Sequence, residues 1–253
     1  MEWLLLRGLA REKKHWFDFP EKLQALNHRV HMIDLPGVGD ENWTSPPLKI
    51  SGYTDFLREK YLKEHRTSAS QNNGVEKKFG LIGISFGGMI AMDWVSRYPG
   101  DFEKLVLINA SAQDLSPMSQ RISAFGIYCL ARAAAAKTVE QEEHAILKMV
   151  SNLKAKDAQV LKANVDIAKN KRISKITIAK QIATATQFKS PDSLSAQVLV
   201  LNSLKDRMVD SRCSKSLADK YSAQIKFHPT AGHDLTLDDP EWAAAHIHEF
   251  SST

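Results

Sequence analysis

Short apolar runs and longer amphipathic stretches alternate along this chain. The runs are Trp3-Leu-Leu-Leu6, Val30-His-Met-Ile-Asp34, Phe79-Gly-Leu-Ile-Gly-Ile84, Lys104-Leu-Val-Leu-Ile-Asn109, Gln197-Val-Leu-Val-Leu-Asn202 and Gln224-Ile-Lys-Phe-His228. Near-continuous apolar character over so few residues marks strands covered on both faces, because a half-exposed strand would alternate with period two. Helical stretches separate them. Phe19 to Asn27 is one; Ile50 to Glu64, with Tyr53, Phe56, Leu57 and Tyr61 on one side, is another. The last helix has Asp239 as its cap, Pro240 at its first position and Trp242 to Phe250 as its apolar face. Leu35-Pro-Gly-Val-Gly39 is a Pro/Gly loop, and Thr67 to Gly74 is polar and reads as a mobile surface loop. The pattern predicts an α/β fold: a mostly parallel central sheet of about six strands with helices on both faces.

One segment breaks the alternation. From Leu115 to Ser190 no strand-like run occurs, and the spacing predicts four helices, Pro117–Ala136, Val139–Ser151, Lys156–Asn170 and Lys175–Gln187. Thr138 with Gln141 forms a capping box for the second. The expected organisation is a core of residues 1–114 and 191–253 interrupted by an all-helical cap insertion over 115–190.

Charge changes the picture mainly there. The chain carries +5, but residues 115 to 192 hold 13 Lys and Arg against 6 Asp and Glu, so the basic excess belongs to the helical segment. A solvated helical surface accounts for it; a docking face for an acidic carrier or anionic headgroups is the sharper reading. Nucleic-acid binding has only the basic balance behind it and no motif. No apolar run approaches a membrane span, and the first residues lack the basic and apolar regions of a signal peptide. Cys129 and Cys213 make no metal or redox spacing, fit free thiols, and point to the cytoplasm.

The chemistry gathers at the third run. Gly83-Ile-Ser-Phe-Gly87 reads G-x-S-x-G between a strand and a helix. Such a turn holds the serine strained at the rim of the sheet, and glycine at both flanking positions removes side chains that would collide. Ser85 is therefore the candidate nucleophile. A serine hydroxyl needs a base, and a histidine base needs a carboxylate to hold its tautomer. His233 follows the sixth strand in Ala231-Gly-His-Asp-Leu235; Asp206 follows the fifth in Asn202-Ser-Leu-Lys-Asp-Arg207. Parallel strands bring all three residues to one sheet edge, in the order Ser85, Asp206, His233. Asp210, Asp234 and Asp238 are rival carboxylates: Asp210 reads as a helix start, and Asp234, adjoining the histidine, should point away. Asn109 closes the fourth strand but has no charge to offer. His246 and His248 do not share a helix face, and His228 reads as packing. The oxyanion donors expected are the backbone N–H groups of Phe86, directly after the serine, and Leu9, in the loop after the first strand.

Taken together, Leu4-Leu-Leu-Arg-Gly-Leu9, Asp34-Leu-Pro-Gly-Val-Gly39, Gly83-Ile-Ser-Phe-Gly87, Asp206 with Val209, and Gly232-His233 resemble the α/β-hydrolase superfamily, in particular its small bacterial esterase-like members with a helical cap. The resemblance spans nearly the whole chain, with the helical segment as its variable part. It implies a serine hydrolase acting on a carboxylic ester or thioester, with no cofactor and no metal. Ile122, Phe125, Ile127 and Tyr128 are the apolar candidates for the substrate pocket. Two features depart from the family pattern. Arg7-Gly8 stands where His-Gly is usual, so the loop's packing or local charge differs. The antiparallel hairpin that often precedes the first parallel strand is missing, which trims the sheet to about six strands. A same-fold lyase or carbon–carbon hydrolase using the triad as a base is the second reading. A non-catalytic ligand receptor is the third. A dehalogenase is disfavoured, since its nucleophile would be an Asp where Ser85 stands.

Overall fold

A computed structural model of the chain describes residues 1–63 and 78–252; the polar stretch at 67–74 lies outside the described residues. Six strands form one sheet: β1 (Glu2–Leu6), β2 (Arg29–Met32), β3 (Phe79–Ile84), β4 (Lys104–Ile108), β5 (Gln197–Ser203) and β6 (Gln224–His228). Every pairing is parallel and the order is β2-β1-β3-β4-β5-β6. The chain runs outward from β1 to β2, then crosses back to β3 on the other side of β1. The crevice beyond the C-terminal ends of β1 and β3 is the topological switch point, where this architecture leaves room for a ligand.

Side-chain alternation along the strands splits the core into two layers. Leu4, Leu6, Leu81, Leu105, Leu107 and Val200 pack on one face. There they meet Tyr53 and Leu57 of α2 (Ile50–Tyr61), Trp94 of α3 (Phe86–Arg97) and Leu217 of α9 (Ser211–Tyr221). Trp3, Leu5, Ile82, Val106, Leu199 and Leu201 point the other way. They meet Phe19 and Leu23 of α1 (Phe19–Ala25) and Ala243 and Ile247 of α11 (Pro240–Ser251). Both faces being covered is the physical reason the inner strands β1, β3, β4 and β5 are nearly continuous apolar runs, while the edge strands β2 and β6 keep polar, partly exposed residues such as Arg29 and Lys226. The α-helical part of α2 runs to Tyr61 and continues through Leu62 and Lys63 as a π turn; the expected end at Glu64 lies outside the described residues.

Between β4 and β5 run five helices rather than four: α4 (Met118–Arg121), α5 (Ala124–Ala134), α6 (Val139–Val150), α7 (Ala158–Asn170) and α8 (Lys175–Gln187). The helix expected over Pro117–Ala136 is split at Ile122 and Ser123, which are extended. Ser123 donates its backbone N–H to the Met208 carbonyl at 2.9 Å and its hydroxyl to the Arg207 carbonyl. Its Oγ also accepts from Gly126 N at 2.9 Å, capping α5. Bonds to a distant loop outweigh continued helix, and serine is a preferred cap residue. Thr138 caps α6 through Gln141 N at 3.2 Å, but the Gln141 side chain returns to Lys137 N at 3.0 Å, so the reciprocal arm of the expected box is displaced by one residue.

Candidate active site

Ser85 sits between β3 and α3 with φ 54° and ψ −115°, a conformation unfavourable for a residue bearing a Cβ. The strain is held by its neighbours. Ser85 N donates to Ile108 O at 2.8 Å, pinning the turn to the end of β4. A side chain on Gly83 would meet Gly87 backbone, and one on Gly87 would run into the Leu6 and Arg7 carbonyl oxygens. Gly87→Ala is expected to cost about 1–3 kcal/mol by overpacking and to push the Arg7-Gly8 loop off Ser85. Thermal unfolding checks the first effect; unchanged stability would show that the backbone absorbs the methyl group.

Asp206 is fixed by its own loop. Its Oδ1 accepts from Met208 N at 2.7 Å and Val209 N at 3.0 Å, while Oδ2 lies 2.7 Å from His233 Nδ1. A carboxylate accepts only, so Nδ1 carries the ring proton and Nε2 keeps a free lone pair. The loop that bears His233 is tied at three points. Asn109 Nδ2 donates to His233 O at 2.8 Å, Gly232 N donates to Asp238 Oδ2 at 2.7 Å, and Asp234 N donates to Val150 O at 2.7 Å. Asn109, at φ 47°, also accepts from Ser203 N at 2.9 Å, so it braces the β5 end against the histidine loop. Burial pushes the His233 imidazole down, but the field and hydrogen bond of Asp206, helped by Asp234 and opposed by Arg7, outweigh it. The ring titrates above the ordinary histidine value.

The rival carboxylates are engaged elsewhere. Asp210 caps α9 through Arg212 N at 2.9 Å. Asp238 collects the hydroxyl of Ser151 and the amides of Asn152, Leu153, Lys154 and Gly232. Asp234 faces Arg7, with Nη2–Oδ2 at 2.5 Å and Nη1–Oδ1 at 3.3 Å, both side chains buried. Burial raises the Asp234 carboxyl, and the Arg7 charge and hydrogen bonds more than reverse this, leaving it below the ordinary carboxylate value. Arg7 also lies over the Trp16 ring at 4.6 Å. The unusual arginine therefore brings its own counter-ion and joins the loop after β1 to the loop that carries His233. The other histidines weighed from the sequence are engaged away from the serine: His228 bonds Asp239 at 3.1 Å, His248 meets His28 at 3.1 Å, and His246 meets the Trp242 carbonyl at 2.9 Å.

Gly8 rests against the serine; a Cβ placed on it would stand 3.5 Å from Ser85 Cβ. The next residues are held from above. Ala10 N donates to Gln181 Oε1 of α8 at 2.8 Å, and Arg11 Nη1 donates to Glu143 Oε2 of α6 at 2.8 Å. The N–H groups of Leu9 and Phe86 have no hydrogen-bond partner among the described residues. Phe86 opens α3, so its N–H is one of the helix's free donors.

Ser85, His233, Leu9 and Phe86 line one cavity of about 170 Å³, roofed by residues of α4, α5, α6 and α8. An apolar cavity of about 150 Å³ holds a benzene molecule, so the space suits a small acyl group. Ile122 lines it, with Met89, Leu130, Met149 and Ile182. Phe125 and Tyr128 do not, which corrects the expectation from sequence. Both lie on the side of α5 away from Leu130, Phe125 beneath the Arg207 guanidinium at 5.0 Å and Tyr128 exposed, as is Ile127. Apolar character near the start of the helical segment marked them as pocket residues, but α5, which begins at the break at Ser123, turns Leu130 inward instead.

The family model for serine aminopeptidase, S33, matches residues 3–240. Human monoacylglycerol lipase ABHD6 is 22% identical over 260 residues, covering 98% of this chain and 74% of that protein. Among solved structures, the esterase RhEst1 from Rhodococcus sp. ECU1013 superposes with TM-score 0.74 at 18% identity, covering 100% of this chain and 90% of that one. A hydrolase from Pseudomonas aeruginosa PA01 superposes with TM-score 0.76 at 16% identity, covering 100% and 90%.

Proposed function

Since the chain belongs to the serine aminopeptidase S33 family of α/β-hydrolases, we propose that it cleaves a carboxylic ester or thioester through an acyl-enzyme on Ser85. The observation that carries this reading is the buried 2.7 Å contact of Asp206 with His233 Nδ1, on the wall of a cavity that Ser85 also lines. His233 Nε2 takes the Ser85 proton as Oγ attacks the acyl carbon, and the charge of Asp206 stabilises the imidazolium. The amides of Leu9 and Phe86 receive the oxyanion; one such donor is worth roughly 3 kcal/mol. The imidazolium protonates the leaving alkoxide or thiolate. Neutral again, His233 then activates water, which releases the acid and restores Ser85. In this reading residues 1–114 and 191–253 are the catalytic core and 115–190 the cap that shapes the acyl site.

Release of a peptide's N-terminal residue would call for a carboxylate facing the substrate ammonium. Asp234 is the one acidic side chain among the described cavity residues, and Arg7 occupies it. That favours an ester over a peptide, as do the lipase and esterase names of the relatives. An acidic carrier on the basic segment is left out of this reading. Part of that charge is met at home, Lys162 by Asp166, Lys171 by Asp40 and Arg172 by Glu142.

The test is turnover of 4-nitrophenyl esters of increasing chain length, together with fluorophosphonate labelling. Short acyl chains should be preferred, and labelling should map to Ser85. Labelling without turnover of any ester would move the assignment to a lyase or carbon–carbon hydrolase. Saturable binding with neither would make the chain a receptor.

A further inference from the structure

We propose that Arg121 anchors a carboxylate on the substrate, so that the cavity selects esters bearing a second, anionic end. The inference rests on the ester-hydrolase reading and names its substrate class. Three guanidinium groups belong to the cavity wall, those of Arg7, Arg11 and Arg121. The first two are neutralised, by Asp234 at 2.5 Å and Glu143 at 2.8 Å. Arg121 differs. Its relative exposure is only 7%, and its bonds go to neutral oxygens: Nε to Ser111 Oγ at 3.3 Å, Nη1 to Thr186 O at 2.9 Å and Nη2 to Ala185 O at 2.6 Å. The carboxylate whose field acts on it, Asp114, is taken by Ser190 N at 2.8 Å, Ser190 Oγ at 2.6 Å and Lys220 at 3.6 Å.

The two carbonyls belong to the last turn of α8 and carry the fractional negative charge of a helix C-terminus, about half an elementary charge at most. They hold the guanidinium plane without cancelling its charge. A buried cation without a counter-charge is costly, and three bonds leave part of a five-donor group unused. A carboxylate meets both needs, because two parallel N–H groups match its two oxygens. Met118, Ile122, Ile182 and Met208 share the cavity wall with Arg121 and are apolar, so a charge bound there is little screened. An ester with a carboxylate at its far end would therefore be held at both ends, its reacting carbon toward Ser85 and its charge toward Arg121.

The test uses Ser85→Ala, which binds without turning over, and compares two sets of ligands by calorimetry. Monomethyl succinate, glutarate and adipate form one set; neutral methyl esters of matching length form the other. At least one half-ester should bind ten-fold or more tighter than its neutral counterpart, and Arg121→Met should erase that difference. Arg121→Gln, whose shorter amide reaches only as far as the Ser111 hydroxyl that Nε now meets, serves if the methionine variant does not fold, and should erase it equally. No preference for any half-ester, or a preference that survives in these variants, overturns the anchor and leaves Arg121 as a cap of α8. Tighter half-ester binding with no ester hydrolysis by the unsubstituted protein would sink the hydrolase reading instead. Hydrolysis of neutral esters without half-ester preference would sink only the anchor.

Discussion

Replacing Asp206 by asparagine is expected to lower kcat on a nitrophenyl ester by about 10⁴-fold. The amide would turn its NH₂ toward His233 Nδ1 and reverse the tautomer, leaving Nε2 protonated and unable to accept from Ser85. Structure should survive the change. Oδ1 would still accept from the amides of Met208 and Val209, the bonds that shape this loop, so unfolding temperature should stay close to that of the unsubstituted protein. Ser85→Ala is expected to remove more, on the order of 10⁶-fold, and to abolish fluorophosphonate labelling. A kcat for Asp206→Asn within ten-fold of the parent would remove Asp206 from the role of acid. No neighbour could replace it without leaving the cap, ion pair or amide cluster that now engages it.

Arg7→Met has the largest effect expected on stability. It leaves Asp234 charged and buried with its main partner gone, a loss of about 3–5 kcal/mol. For a chain of this size each kcal/mol moves Tm by roughly 2–4 °C, so a fall on the order of 10 °C should be seen in calorimetry. The double variant Arg7→Met/Asp234→Asn removes both charges and should regain most of it. The same pair sets a pH response. His233 must be neutral to act as the base, so kcat/KM falls as pH drops through its pKa in the free enzyme. Asp234 favours the imidazolium and Arg7 disfavours it. Arg7→Met should therefore move the acid limb to higher pH, Asp234→Asn to lower pH, and the double variant between them. A limb that moves the same way in both single variants, or a Tm unchanged by Arg7→Met, would show the pair to be a passive contact.

Local pattern was enough for much of this molecule. The strands were readable because both faces of the sheet are covered, which forces runs such as Leu105 to Ile108 to be apolar without interruption. Ser85 was readable because the elbow needs glycine on both sides, and Asp206 and His233 because parallel strands deliver their loops to one edge. Other features depend on partners far along the chain. Arg7 and Asp234 are 227 residues apart, and nothing near either one announces the pairing. Asn109 stood out only as an uncharged residue at a strand end; its function as a brace depends on loops after β5 and β6 that no local spacing reveals. The interruption at Ser123 likewise comes from Arg207 and Met208. With it went the inward direction of Phe125 and Tyr128, whose composition was right for a pocket but whose helix face was not.

Asp238 couples two parts of the protein that the chain order keeps apart. The same carboxylate grips the turn between α6 and α7, through Ser151, Asn152, Leu153 and Lys154, and the amide of Gly232, next to His233. A hinge at that turn would have to let go of one or the other. The roof on this side thus works as a latch rather than a free flap: lifting it either surrenders the buried carboxylate's donors or slackens the loop that aims His233. The opposite flank is tied as well, where α4 and α5 meet at Ser123, through the carbonyls of Arg207 and Met208. Hydrogen exchange would report the latch as slow amides at Asn152 and Gly232 that open together.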